Sequence, residues 1–180
     1  RNNMGEEIQE TKTDVSGKEI QETKTNAPVK IDEGPKRFLE KGPHVLLDTK
    51  TNIYWLKKDS WQDKGKFFNW HEAVEYNDRK NLRKIGGFDD WRMPVFNEAK
   101  TLFDETHENP GKGGVTLHVD PMFPEGAFKV HWLGGDTSTR RPRYDFSEGK
   151  EVYVDEYSFG AVRSCRKALV QKFATRAKRK

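Results

Sequence analysis

From residue 1 to residue 37 the chain is polar, with Ile8, Ile20 and a few other aliphatic residues standing singly, whereas from Phe38 onward apolar residues come in short, spaced clusters. Val45 to Asp48 and Ile53 to Leu56 flank the turn-rich Asp48-Thr-Lys-Thr-Asn52, which predicts a β-hairpin. A helix is predicted next, with Asn69 as N-cap, Glu72 three residues on, Trp70, Ala73, Val74 and Leu82 on an apolar face, and Gly86-Gly87 as its stop. A second helix is predicted from about Val95 to Phe103, where Pro94 stands at the start and Phe96, Ala99, Leu102 and Phe103 keep helical spacing. Asn109 to Gly114 carries a proline and three glycines and reads as a loop. Lys129 to Trp132, Arg143 to Phe146, Val152 to Val154 and Ala161 to Arg166 then alternate in polarity between turn signals at Gly134-Gly135 and Glu148-Gly149. That is the pattern of antiparallel strands. Hairpin, two helices, then strands is an α+β order.

Composition sharpens the boundaries. Of 180 residues, 33% are hydrophobic and 34% charged, a poor balance unless the apolar residues are concentrated. Every Trp and Tyr, and every Phe except Phe173, lies between Phe38 and Phe159. One domain at 38–167 is therefore expected between a polar arm at 1–37 and a basic tail at 168–180. Within the arm, GEEIQETKT at Gly5 to Thr13 recurs as GKEIQETKT at Gly17 to Thr25. One copy cannot bury a face and two are too few for a solenoid, so the arm reads as a solvated, extended segment. The alternative is that Ile8 and Ile20 enter equivalent pockets of a partner. A removed export signal leaves a polar stalk of this kind, so the expected location is periplasmic or extracellular. No apolar run is long enough for a transmembrane helix.

The formal charge of +4 is unevenly placed. No acidic residue follows Glu156, and the tail carries Lys172, Arg176, Lys178 and Arg179, with Leu169, Val170, Phe173 and Ala177 on roughly one face of a basic helix. Arg140, Arg141 and Arg143 stand at an expected loop-to-strand junction, where guanidinium forks suit sulfate, phosphate or carboxylate. Trp61, in the polar stretch from Lys57 to Lys66, is a candidate contact residue if exposed, with packing back onto the domain as the alternative. These are the candidate binding residues. No nucleic-acid recognition motif accompanies them.

Several motifs occur in a familiar order: Asp48-Thr-Lys-Thr-Asn-Ile-Tyr-Trp55, Phe68-Asn-Trp-His-Glu-Ala73, Gly87-Phe-Asp-Asp-Trp-Arg-Met-Pro94, Val119-Asp-Pro-Met-Phe-Pro124, His131-Trp132, Tyr144-Asp-Phe-Ser-Glu-Gly149 and Val162-Arg-Ser-Cys-Arg166. Over roughly residues 44 to 167 the chain resembles the bacterial family named after the C-terminal domain of the Legionella collagen-like adhesin. Gly87 to Pro94 and Val162 to Arg166 also resemble parts of formylglycine-generating-enzyme-like domains, which implies a C-type-lectin-like α+β fold. The resemblance implies extracytoplasmic binding or adhesion, in the adhesin's case by oligomers that bind sulfated glycans. It also gives Trp55, Trp70, Trp91, Trp132, Arg92, Pro94, Arg163 and Cys165 structural roles. Two departures stand out: Val95 replaces the usual threonine and removes a hydroxyl cap from the second helix, and His131-Trp132-Leu133-Gly134 replaces a serine-bearing Tyr-Trp-Ser-Ser.

Catalytic chemistry finds little support in the residues. A formylglycine-type oxidase needs two cysteines for copper, and this chain has one, Cys165, in an alternating strand that suits a buried thiol. The tripeptides of calcium-dependent lectins are absent, and Asp89-Asp90 reads equally well as a pair that orients Arg92. His107, His118 and His131 match no compact zinc motif. No metal and no cofactor is expected. The leading expectation is a non-enzymatic binding or assembly module for a protein complex or anionic surface, with a sulfated-glycan adhesin as the alternative, a homo-oligomer as a possible form, and an oxidase relative as the least favoured reading.

Overall fold

A computed structural model describes residues 34–135 and 139–169, and the unit described below begins at Pro35. The repeat-bearing arm and Lys172, Arg176, Lys178 and Arg179 lie outside the described residues. The architecture is α+β, with short helices and antiparallel sheets. One sheet joins β1 (Phe38–Glu40), β2 (Val45–Asp48), β3 (Ile53–Leu56) and β9 (Cys165–Lys167) in that spatial order. A second contains β6 (Val130–Trp132), β7 (Arg140–Asp145) and β8 (Lys150–Asp155).

The expected hairpin is β2–β3, with Val45 opposite Leu56 and Asp48 opposite Ile53. Its turn is organised from beneath: the buried Asp48 carboxylate accepts from the Lys50 amide at 3.0 Å and the Thr51 hydroxyl at 2.9 Å, and Arg37 grips it through two nitrogens at 3.0 and 2.6 Å. Such a bidentate pair fixes orientation as well as charge.

The helices follow their caps more closely than their apolar patterns. Before the expected first helix lies α1 (Ser60–Lys64), inside the stretch read as a polar loop. Asp59 and Gln62 form a reciprocal capping box there, and Gly65 ends the helix at φ 66°. An acidic cap followed by Gln three residues on was the signal for it. The longer α2 (Trp70–Leu82) starts at Asn69 with the expected Glu72 partner, but Leu82 is 84% exposed, and the buried face is Ala73, Tyr76 and Asn77. It ends before the two glycines because Arg83 leads into Lys84 at φ 48° and then a 3-10 turn at Ile85–Gly87.

The remaining helix, α3 (Phe96–Lys100), is shorter than predicted. Thr101, Leu102 and Phe103 donate backbone bonds three residues back, to Glu98, Ala99 and Lys100, so the chain tightens and leaves the α geometry. Asn109 to Gly114 is not wholly a loop: β4 (Asn109–Pro110) pairs with β5 (Thr116–Leu117) around a 3-10 turn at Lys112–Gly114. Ala161 to Arg166 is likewise only partly strand, because Ala161 makes an isolated bridge to His131 and regular pairing resumes at Cys165.

The core is aromatic, with Trp55, Trp91, Trp132, Phe38, Phe68 and Phe123 fully buried. Trp132 donates its indole N–H to the Phe68 carbonyl at 2.8 Å, and Trp91 donates to Ile85 at 2.9 Å. Trp70 is half-buried beneath the Arg141 guanidinium, 3.9 Å from its ring centroid. Gly160 pairs with Phe68 directly over Trp132, where an added Cβ would stand 2.9 Å from the indole nitrogen. Because that ring is buried and hydrogen-bonded, it cannot yield. Gly160→Ala is expected to cost about 1–3 kcal/mol of stability through overpacking. Equilibrium urea denaturation measures it, and an unchanged midpoint would show that the Phe68–Trp132 contact has slack.

Candidate functional site

Two buried charge clusters hold the framework on which the surface is displayed. In the first, Arg92 donates two bonds of 2.7 Å to the Glu98 carboxylate, which also accepts from the Val95 amide at 3.0 Å. Glu98 thus supplies one half of a capping box for α3, while Val95 offers no acceptor for the other half. Burial raises the Glu98 carboxyl, but Arg92 and the Val95 amide together outweigh it and hold the group below the ordinary range. Cys165 sits against this pair with its Sγ 3.8 Å from Glu98 Oε2, and burial first, then the Glu98 charge, push the thiol well above its ordinary value. A buried thiol so held is a poor nucleophile. Asp90, one of the pair expected to orient Arg92, grips Arg166 at 2.5 and 3.2 Å.

The second cluster joins Asp59, 0% exposed, His131, 3%, and Arg163, 4%. Asp59 Oδ1 accepts from the Gln62 amide at 2.8 Å, and Oδ2 accepts from the Phe128 amide at 2.7 Å and from His131 Nε2 at 3.1 Å. Burial raises this carboxyl, yet His131 and the Arg163 charge bring it below its ordinary value. Arg163 donates to the Leu56 and Lys57 carbonyls and lies 4.6 Å from the Phe123 ring centroid. Gln62 completes the cluster by donating to the Pro124 and Glu125 carbonyls, each at 2.9 Å. The segment around Lys57 to Lys64 is thereby fastened to the loop at Pro124 to Phe128.

On the outside of that junction lies a cationic face. A cleft of 310 Å³ is bordered by Lys57, Lys58, Lys80 and Arg83, with Leu56, Ile85 and Pro124 among its apolar walls. A neighbouring cleft of 230 Å³ shares Tyr76, Lys80 and Arg83 and adds Lys64, Lys66 and Arg79. Asp63 is the one carboxylate in either lining. It accepts from the Tyr76 hydroxyl at 3.0 Å and from Lys80 at 2.8 Å, so its charge is already answered.

The sequence pointed elsewhere for binding. Arg140 opens β7 at the loop-to-strand junction, and Arg141 and Arg143 lie within the strand. Arg140 donates to the Tyr153 carbonyl, Arg141 covers Trp70 and faces Glu156 at 3.6 Å, and Arg143 donates to the Phe159 carbonyl. Trp61 is half-buried and stacks on Phe67 with ring centroids 4.7 Å apart, beneath Lys112 Nζ at 4.5 Å from its own centroid. His107 and His118 meet through a carbonyl, while His131 stands apart in the buried cluster. Among the described residues no three His, Cys, Asp or Glu side chains converge on a point that would hold a metal ion.

The two motifs most specific for the family resemblance meet in space: Arg92 and Cys165 exchange backbone hydrogen bonds of 3.0 and 2.9 Å. The profile of the Lcl C-terminal domain family matches residues 44–170. The chain belongs to that family. No curated protein and no solved structure matches the chain. Within this Lcl C-terminal domain, no described helix is long and apolar enough to cross a membrane.

The Asp59 cluster makes stability depend on pH in a definite direction. His131 is only 3% exposed, and burial outweighs the Asp59 carboxylate and holds the imidazole below its ordinary value of about 6.5. Below that pH the unfolded chain takes a proton that the folded chain refuses, and stability falls. Asp59, depressed in the fold, acts in the same sense at lower pH: its contribution is full above the ordinary carboxylate value and is lost as pH falls through the folded one. Urea denaturation at about pH 7.5 and about pH 5.5 is expected to show lower stability at the acid value, the direction that His131 sets. His131→Gln should remove that part of the slope, and an identical slope in the variant would show that the imidazole is charged in the fold.

Proposed function

We propose that the chain is a non-enzymatic binding or assembly module whose domain offers a cationic face to an acidic partner, a protein complex or another anionic surface. One observation carries the reading: Lys57, Lys58, Lys64, Lys66, Arg79, Lys80 and Arg83 border two adjoining clefts whose linings hold one carboxylate, Asp63, while Glu40, Glu72 and Glu75 outside the linings pair with Lys57, Lys66 and Arg79 and leave Lys58 and Arg83 without an ion-pair partner among the described residues. Cations gathered on one face steer and hold anionic partners far better than the net charge suggests. The groups with chemical potential point the same way. Cys165, Glu98, Asp59 and His131 are buried and engaged with one another or with the backbone, away from these clefts.

Two finer points belong to the same proposal. The antiparallel bridge between Arg92 and Cys165 supports a C-type-lectin-like arrangement, because it unites the motifs that carried that resemblance. The adhesin likeness supports a periplasmic or extracellular location. A second reading, with a sulfated glycan as partner, is favoured by Tyr157 and Phe159, residues that are 64% and 67% exposed. Rings of that kind offer faces to sugars.

Chromatography on immobilised poly-L-glutamate and on immobilised heparin tests both. The chain is expected to be retained on polyglutamate at about 0.01 M salt, where the Debye length is about 30 Å, and released at about 1 M, where it is about 3 Å. Lys64→Glu/Lys66→Glu should elute at lower salt. Absence of retention at low salt would overturn the proposal, and retention on heparin alone, unaffected by these substitutions, would favour the glycan reading.

A further inference from the structure

The larger cleft is not purely ionic. Leu56, Ile85 and Pro124 give it apolar walls, and its volume of 310 Å³ sits at the lower end of the range of roughly 300–1,000 Å³ for ligand sites. That is room for one or two side chains. The cations at its rim differ in availability. Lys57 is paired with Glu40 at 2.5 Å and Lys80 with Asp63 at 2.8 Å, whereas the exposed side chains of Lys58 and Arg83 have no ion-pair partner among the described residues.

From this geometry we infer that the cleft seats an acidic segment of a partner protein, one apolar side chain lying against Leu56 and Ile85 and flanking carboxylates meeting Lys58 and Arg83. The inference rests on the proposed cationic binding function and adds the chemistry of the occupant. Charge complementarity selects an anion, and the apolar walls select one that carries a hydrocarbon side chain. A sugar is a poorer fit at this place. Tyr76 is the one Phe, Tyr or Trp side chain in the lining, it is 2% exposed, and Lys80 Nζ already lies 4.7 Å from its ring centroid. No open aromatic face remains there for a pyranose ring.

Fluorescence anisotropy of the whole chain with two labelled peptides tests this: Gly-Glu-Asp-Leu-Leu-Glu-Asp-Gly and the same peptide with both leucines replaced by serine. The leucine peptide is expected to bind at least about tenfold more tightly, a difference of about 1.4 kcal/mol, as burial of a single Leu side chain would supply. Lys58→Glu/Arg83→Glu, at exposed positions, should weaken it by about tenfold or more. Equal binding of the two peptides would overturn the inference while leaving a cationic binding module standing. Undiminished binding by the double variant, no binding of the leucine peptide, or its displacement by a heparin octasaccharide at lower concentration than by unlabelled peptide would each overturn it as well. Lost retention on polyglutamate is the separate result that removes the underlying function.

Discussion

Asp59 has no exposed surface, yet it is charged, and this constraint organises the domain. An ionised carboxylate withdrawn from water is tolerated only where donors surround it. Here they come from separate stretches of chain: the Gln62 amide in α1, the Phe128 amide in the loop before β6, and His131 in β6 itself. The Arg163 charge acts from the approach to β9, where its side chain also holds the Leu56 and Lys57 carbonyls. Removing one partner of such a set typically costs about 3–5 kcal/mol. Segments far apart in sequence are therefore committed to one arrangement.

That commitment also shapes the surface. Because the Asp59 charge lies inside, the stretch from Lys57 to Lys66 keeps Asp63 as its one exposed carboxylate, while Lys57 and Lys66 pair with Glu40 and Glu72 from neighbouring elements. Gln62 and Arg163 fix this stretch against Pro124 and below Leu56, which sets the cleft walls. Asp63 then ties the arrangement to α2 through Tyr76 and Lys80. A rigid cationic surface with an apolar floor results. Under the proposed binding function, a surface held in this way loses less ordering entropy than mobile loops would.

The hairpin and the start of α2 were legible because their determinants are local. Asp48 to Asn52 folds on its own carboxylate, and Asn69 with Glu72 closes a capping box within one turn. The Lcl C-terminal domain family was legible because Arg92 and Cys165 sit in distinctive motifs. What remained hidden depends on tertiary contact. Leu82 has helical spacing, but the last turn of α2 has nothing to pack against it. The arginines of β7 look like an anion clamp until pairing with β8 and the half-buried Trp70 occupies them. The cationic clefts were missed for a related reason. Asp59 and Asp63 stand in a stretch that reads simply as polar, and only the fold shows that one is buried and the other bonded within the domain.

Amide hydrogen exchange of Asp59→Asn against the native chain tests the central role of this carboxylate most directly. The substitution keeps the side-chain size and removes the charge. If Asp59 fastens α1 to the loop before β6, the amides of Gln62 and Phe128 should lose protection together, while those of Val45 to Leu56 in the β2–β3 hairpin keep theirs. Protection unchanged at Gln62 and Phe128 would contradict the account, because the walls of the cleft would then be held by something other than the buried charge.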